Sequence, residues 1–184
     1  IMGVINVTPD SFYDGGLYFE KDRAVERGIE LEAEGADIID VGGESTKPGS
    51  EPIAAEEELR RIIPVISALR KRTNSLISVD TTKSEVAQAA LDQGADIIND
   101  ISSFRFDSRM LPLAAQKQVP VVLMHMKGVP KTMQDNPCYE DVVLEVKTFL
   151  KEKIQKAQAY GVKKEKIIID PGLGFGKRLK DNLV

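Results

Sequence analysis

Six short runs rich in Ile and Val recur along this chain, and each ends on a polar residue or polar cluster. They read Val4-Ile5-Asn6-Val7-Thr8, Ile38-Ile39-Asp40-Val41-Gly42-Gly43-Glu44, Ile77-Ser78-Val79-Asp80-Thr81, Ile97-Ile98-Asn99-Asp100, Val121-Val122-Leu123-Met124-His125 and Ile167-Ile168-Ile169-Asp170-Pro171-Gly172. Runs of this length and composition suit strands buried on both faces. Amphipathic segments of helical length separate them. Parallel strands joined by helices finish on one rim, so the polar endings are expected to converge on a shared site.

The 184 residues are enough for one domain, 1–184, with a substantial core. An excess of 29 acids over 25 bases gives a net charge of −4, and no Lys/Arg run is long enough to act as a nucleic-acid or anionic-membrane patch. No apolar stretch approaches a membrane span and no signal peptide is visible, so a cytoplasmic protein is expected. Cys138, the one cysteine, excludes an internal disulfide, and the one histidine excludes the common multi-histidine zinc sites.

The helices are delimited by punctuation. One is expected from Glu20 to Glu34, closed by Gly35. A second opens on Ala54-Ala55-Glu56-Glu57-Glu58, whose acids suit a helix N-terminus, and Pro64 should kink or split it. A third begins with Thr82-Lys83-Ser84-Glu85 as a capping box and stops at Gly94. The fourth covers Ser108 to Lys117, and the fifth Tyr139 to Tyr160 before Gly161. Gly35-Ala36-Asp37-Ile38-Ile39-Asp40 returns as Gly94-Ala95-Asp96-Ile97-Ile98-Asn99, a weak repeat of helix stop and strand start. Repeated βα units suit a barrel or a doubly wound sheet, and a closed (β/α)8 barrel needs eight of them.

Several strand endings carry chemistry. Asn6 closes a buried strand, where an amide needs partners for both its donor and its acceptor side. Pro9, Asp10, Ser11 and Gly15-Gly16 read as turn residues. Gly42-Gly43-Glu44-Ser45-Thr46-Lys47-Pro48-Gly49 combines close backbone approach with donors for an anion. Asp80, Asn99 and Asp170 end three strands with few basic residues to pair them. Planar groups of this kind suit a flat heterocycle with adjacent N–H donors, although Asp80 and Asp100 could instead cap helices. Pro171-Gly172-Leu173-Gly174-Phe175-Gly176-Lys177 fails the Walker A spacing and reads as a tight turn approaching a ligand. Alternation places Met124 and Met126 on one face and His125 on the other, where a structural histidine is favoured over a proton carrier. Cys138 has no partner that would make it a nucleophile.

Taken together, these motifs resemble the dihydropteroate synthase family along the whole chain. The resemblance rests on residues 2–16, 40–49, 78–83, 98–101, 123–126 with Lys131-Thr132-Met133-Gln134, and 170–177. It implies a TIM barrel, six of whose eight βα units are present. It also implies an Mg²⁺-assisted condensation of a dihydropterin diphosphate with p-aminobenzoate, releasing pyrophosphate. The family's chemistry is a dissociative displacement, and its members are homodimers and sulfonamide targets. By match to its motifs, Asn6 would hold Mg²⁺, Thr46 and Lys47 would serve catalysis, and Thr46, Asp80, Asn99 and Asp170 would bind substrate. A pterin-binding barrel of a methyltetrahydrofolate–corrinoid methyltransferase is the competing resemblance, and a pterin-binding fragment without activity is a third reading. The family usually has Arg where this chain has Lys47, and often His-Asn where it has Asp181-Asn182. The family's pterin-contacting Lys after strand seven, and its Arg and His after strand eight, have no counterpart here. A fragment of a longer sequence, poorly active alone, is therefore expected.

Overall fold

The computed structural model describes residues 1–8 and 16–184, with the side chains of residues 16–20 also outside the description. The turn expected at Pro9, Asp10, Ser11 and Gly15 therefore lies outside the described residues. Six strands alternate with six α-helices: β1 (Met2–Asn6), α1 (Gly16–Ala33), β2 (Ile38–Gly42), α2 (Ala55–Arg70), β3 (Leu76–Asp80), α3 (Ser84–Asp92), β4 (Ile97–Asp100), α4 (Met110–Lys117), β5 (Val121–Met124), α5 (Val142–Ala159), β6 (Ile167–Asp170) and α6 (Leu179–Asn182). The chain divides into two compact units, one of Ile1–Ser45 with Pro52–Asn99 and one of Thr46–Glu51 with Asp100–Val184.

In the first unit β1, β2, β3 and β4 pair in parallel, in sequence order. One face of this sheet is apolar: Ile5, Ile39, Val41, Ile77, Val79 and Ile98 are all buried. Helix α2 contributes Ile62, Val65, Ile66 and Leu69, none of them exposed. At about 1.5–3 kcal/mol for each large aliphatic chain removed from water, this stripe dominates the helix's contribution to stability. Helices α1 and α3 stop where the repeat foretold. The amides of Ala36 and Ala95 reach back to the carbonyls of Leu31 and Ala90, with Gly35 and Gly94 in the left-handed region.

Three local expectations are corrected. Helix α2 is not split at Pro64, which lies on its exposed side with buried residues before and after it. The capping box at α3 does not form. Thr81 Oγ1 takes the Lys83 amide at 3.2 Å instead, and the Lys83 N-cap position has no side-chain cap. Strand β1 is not buried on both faces, since Val4 is 53% exposed and Asn6 is also exposed.

In the second unit β5 and β6 pair in parallel, from Val121 with Ile167 to Met124 with Asp170. Strand β5 is fully buried, but β6 is open, with Ile168 and Ile169 exposed. This corrects the expectation of a strand covered on both sides; among the described residues β5 is the strand hydrogen-bonded to β6. Met124 and Met126 join Ile101 and Met133 in a buried cluster against Phe175, as alternation foretold. Asp141 caps α5 by accepting the Leu144 amide at 2.9 Å. No helix of the described residues is long and apolar enough to cross a membrane.

Candidate functional site

Strand register assembles the polar endings of the first unit. Asn6 aligns with Gly42, Gly42 with Asp80, and Asp80 with Asn99. Two residues earlier, Val4, Asp40, Ser78 and Ile97 form a second row. Because side chains alternate along a strand, both rows occupy the face opposite the helix-packed Ile and Val residues. The Ile/Val runs therefore conceal a sheet that is apolar on one face and carries two acids, two amides and a hydroxyl on the other. Gly42 leaves room for this, since a Cβ there would stand 3.2 Å from Asp80 Oδ2.

Asp40, which the sequence reading passed over as a site residue, lies at the centre of the second row. It is 3% exposed, and its Oδ2 accepts from Asn99 Nδ2 at 3.0 Å. Neither Asp40 Oδ1 nor Ser78 Oγ has a well-formed hydrogen bond. Burial raises the Asp40 carboxyl above the usual carboxylate range, and the nearby Ser78 and Asn99 pull it back only in part. Each buried acceptor left without a partner costs about 1–3 kcal/mol, and a fold keeps such groups where a ligand or an ordered water completes them.

A second, partly buried cluster stands where β2 runs into the next loop. Lys83 Nζ lies 2.5 Å from Glu44 and 2.6 Å from Glu58, and Glu44 also accepts the Ile53 amide at 3.0 Å. Glu58 is fully buried, so the acidic opening of α2 is not merely a solvated match to the helix dipole. Glu57 behaves differently, pairing with Arg60 and Arg61, which hold its carboxyl below the usual range. The spacing of Glu58 with Ile62, Val65, Ile66 and Leu69 puts this glutamate on the apolar stripe, a signal available in the sequence. Gly43 permits the close packing of β2 on α2: a Cβ there would meet Ile62 at 2.8 Å and Glu58 at 3.1 Å. The glycine pair thus approaches Asp80 and α2, parts of the protein itself.

The second unit contains the other expected residues. Thr46 is half-buried and Lys47 exposed. Gly49 donates to the Pro130 carbonyl at 3.4 Å, and Glu51 pairs with Lys131 at 2.6 Å. Asp170 is half-buried, and its Oδ1 accepts the Gly172 amide at 2.7 Å. Asp100 caps no helix, since α4 begins at Met110; it braces a turn instead. It is fully buried and takes the amides of Ser102 and Phe104, both at 2.8 Å, bracing a turn in which Ser103 and Phe104 have positive φ.

The glycine-rich turn after β6 packs closely against protein at two of its glycines. A Cβ on Gly172 would stand 2.0 Å from the His125 carbonyl oxygen, and one on Gly176 2.5 Å from that of Lys127. The turn wraps a buried Lys177, whose Nζ donates to the carbonyls of Gly172, Phe175 and His125 and contacts His125 Nδ1 at 2.9 Å. Burial lowers the Lys177 ammonium to about 8. Burial and the adjacent Lys177 lower His125 to about 4, so the ring is neutral and accepts at Nδ1. Its edge packs on Phe149. The structural reading of His125 accounts for its surroundings.

Known proteins resemble this chain in sequence and in fold. The family model described as "Pterin binding enzyme" matches residues 2–184. The chain is 45% identical to a dihydropteroate synthase of Synechocystis over 183 residues, covering 100% of this chain and 63% of the relative. It is 49% identical to that of Escherichia coli K12, covering 99% of this chain and 64% of the relative. Among solved structures, the Yersinia pestis dihydropteroate synthase with a sulfonamide drug superposes with a TM-score of 0.92 at 43% identity, covering 99% of this chain and 66% of that one. The Xanthomonas albilineans enzyme in complex with 7,8-dihydropteroate gives 0.87 at 47% identity, covering 99% and 63%. The chain therefore spans somewhat under two thirds of the length of these curated relatives. Its six βα units have the arrangement of these TIM barrels. With the match running essentially end to end, the chain belongs to the pterin binding enzyme family.

Proposed function

We propose that the whole protein condenses a dihydropterin diphosphate with p-aminobenzoate, releasing pyrophosphate and forming dihydropteroate. The carrying observation is the register-aligned pair Asp80 and Asn99 above the buried Asp40, whose Oδ1 lacks a partner. A pterin ring offers adjacent N–H donors to a carboxylate and mixed donor and acceptor edges to an amide. Asp170 and Thr46 join the substrate-binding set by their match to the family's motifs. The reading also draws on the relatives' names and on the dihydropteroate and sulfonamide complexes of their structures.

In the displacement we infer, the diphosphate leaves ahead of attack by the aniline nitrogen. Lys47 and Thr46 would face the departing charge and the incoming amine. Asn6 would hold Mg²⁺. Its single amide oxygen suits an ion that keeps most of its waters and takes its other ligands from phosphate oxygens. When bound, the ion supplies charge neutralisation for the leaving diphosphate. A homodimer of the whole protein belongs to the same proposal.

Incubating the whole protein with Mg²⁺ and both substrates should release pyrophosphate at a rate that depends on p-aminobenzoate. Release no faster than the no-enzyme control would overturn the reading. Tight methyltetrahydrofolate binding with no diphosphate dependence would move it to the corrinoid methyltransferases. For the 184-residue chain, a cooperative thermal transition raised by a pterin ligand would demonstrate a preformed pterin site.

A further inference from the structure

We propose that Lys83 is a positioning residue that fixes both ends of the segment carrying Thr46 and Lys47; this rests on the condensation reading for its kinetic consequence. The observation is geometric. The segment leaves the first unit after Ser45, next to Glu44, and re-enters it at Pro52, next to Ile53. The Glu44 carboxylate spans that gap by accepting the Ile53 amide at 3.0 Å. Lys83 then holds the same carboxylate at 2.5 Å and ties it to Glu58, a fully buried residue of α2, at 2.6 Å. One ammonium thus connects the exit point of the segment, its return point and the rigid helix behind it.

The cluster's charge balance argues against plain packing. Two carboxylates face one ammonium, and Glu58 Oε1 has no hydrogen-bond partner. Where stability is the whole requirement, apolar residues of similar volume replace a buried ion cluster at little or no cost. Directional charge-assisted bonds give what apolar packing does not, a fixed place for the carboxylate that grips Ile53. The link to Lys83 is itself short, because β3 ends at Asp80 and Lys83 immediately precedes α3. The strand end that presents Asp80 and the clamp that closes the segment's base are therefore three residues apart in one chain.

A substitution that releases the clamp should affect the amine substrate far more than the pterin. In the whole protein, Lys83→Met should raise KM for p-aminobenzoate about tenfold or more, with pterin affinity in a direct titration changed less than about twofold. Lys83→Arg, which retains a cation and donors to both carboxylates, should recover most of the loss. Hydrogen exchange supplies a readout independent of turnover: the Ile53 amide should exchange at least about tenfold faster in Lys83→Met, with the amides of β3 unchanged. If Lys83→Met does not fold, Glu44→Gln serves in its place, since its amide oxygen can still accept from Ile53 while the ion pair is gone. Absence of turnover in the unsubstituted protein would overturn the condensation reading and leave the exchange test standing. Normal turnover with an unchanged KM, or unchanged exchange at Ile53, would overturn the positioning role. An equal loss of pterin and p-aminobenzoate binding would overturn it as well, because it would mark Lys83 as a general support of the fold.

Discussion

The strand ends of the two units look alike in the sequence and differ in how their polar groups are completed. In the first unit, Asp40 Oδ1 and Ser78 Oγ are buried without a formed hydrogen bond beneath the row of Asp80 and Asn99. In the second, the Lys177 ammonium has carbonyls and a ring nitrogen around it, and Asp100 holds two amides. Unpartnered polar groups beneath a row of strand-end acids and amides suit a ligand. A completed cluster is scaffold, however suggestive its motif. The glycine-rich turn before Lys177 illustrates the second case, since it resembles a phosphate loop yet closes on its own chain.

Substitutions can break or sharpen this contrast. The largest effect is expected at the completed cluster. Lys177→Met would leave several carbonyls and His125 Nδ1 without their donor and should cost about 3–5 kcal/mol in urea unfolding. A loss under 1 kcal/mol would remove Lys177 from the scaffold. Next, Asp170→Asn in the whole protein should weaken pterin binding about ten- to a hundredfold, and Thr46→Ala much less, because a half-buried carboxylate is set against a loop hydroxyl. Equal losses by titration calorimetry would contradict the assignment. At the incomplete cluster the sign should invert. Asp40→Asn should stabilise the unliganded chain by about 1 kcal/mol while weakening pterin binding, since it removes a buried ionisable group that folding disfavours. Destabilisation in the same unfolding assay would make Asp40 structural.

The smallest effect concerns pH. His125 is lowered to about 4 in the folded protein from an ordinary value of 6.5, so between those values the unfolded chain binds more protons. His125 thus adds stability above pH 6.5 that is lost as pH falls towards 4. In His125→Asn the rise in unfolding free energy from pH 4.5 to 6.5 should become shallower. An identical slope in both proteins would show that the ring does not titrate as its burial dictates.

Much of the fold was legible because local signals agreed. Ile/Val runs marked every strand within a residue or two, and Gly35, Gly94 and Gly161 marked helix ends through a backbone geometry that few other residues adopt. What failed depended on tertiary surroundings. Pro64 looked like a break, but the buried residues around it determine the course of α2. Thr82-Lys83-Ser84-Glu85 looked like a cap, but Lys83 is held by two glutamates from elsewhere in the sequence. Strand pairing brought Asp80, Asn99 and Asn6 into one row, as their positions at strand ends implied. Asp40 was missed because it lies two residues before the end of its strand, and its isolation shows only once burial and its neighbours are known.

Gly172 has a further consequence for how such sequences can change over time. At φ +66 and with the His125 carbonyl where a Cβ would sit, the position has no neighbouring substitution to drift through. In a saturation library selected only for folding, glycine alone should survive there, while the adjacent exposed Leu173 should accept many residues. Two consecutive sites would then show opposite tolerance. A survey of variants that equated strong constraint with chemistry would assign Gly172 a catalytic importance that belongs to its shape.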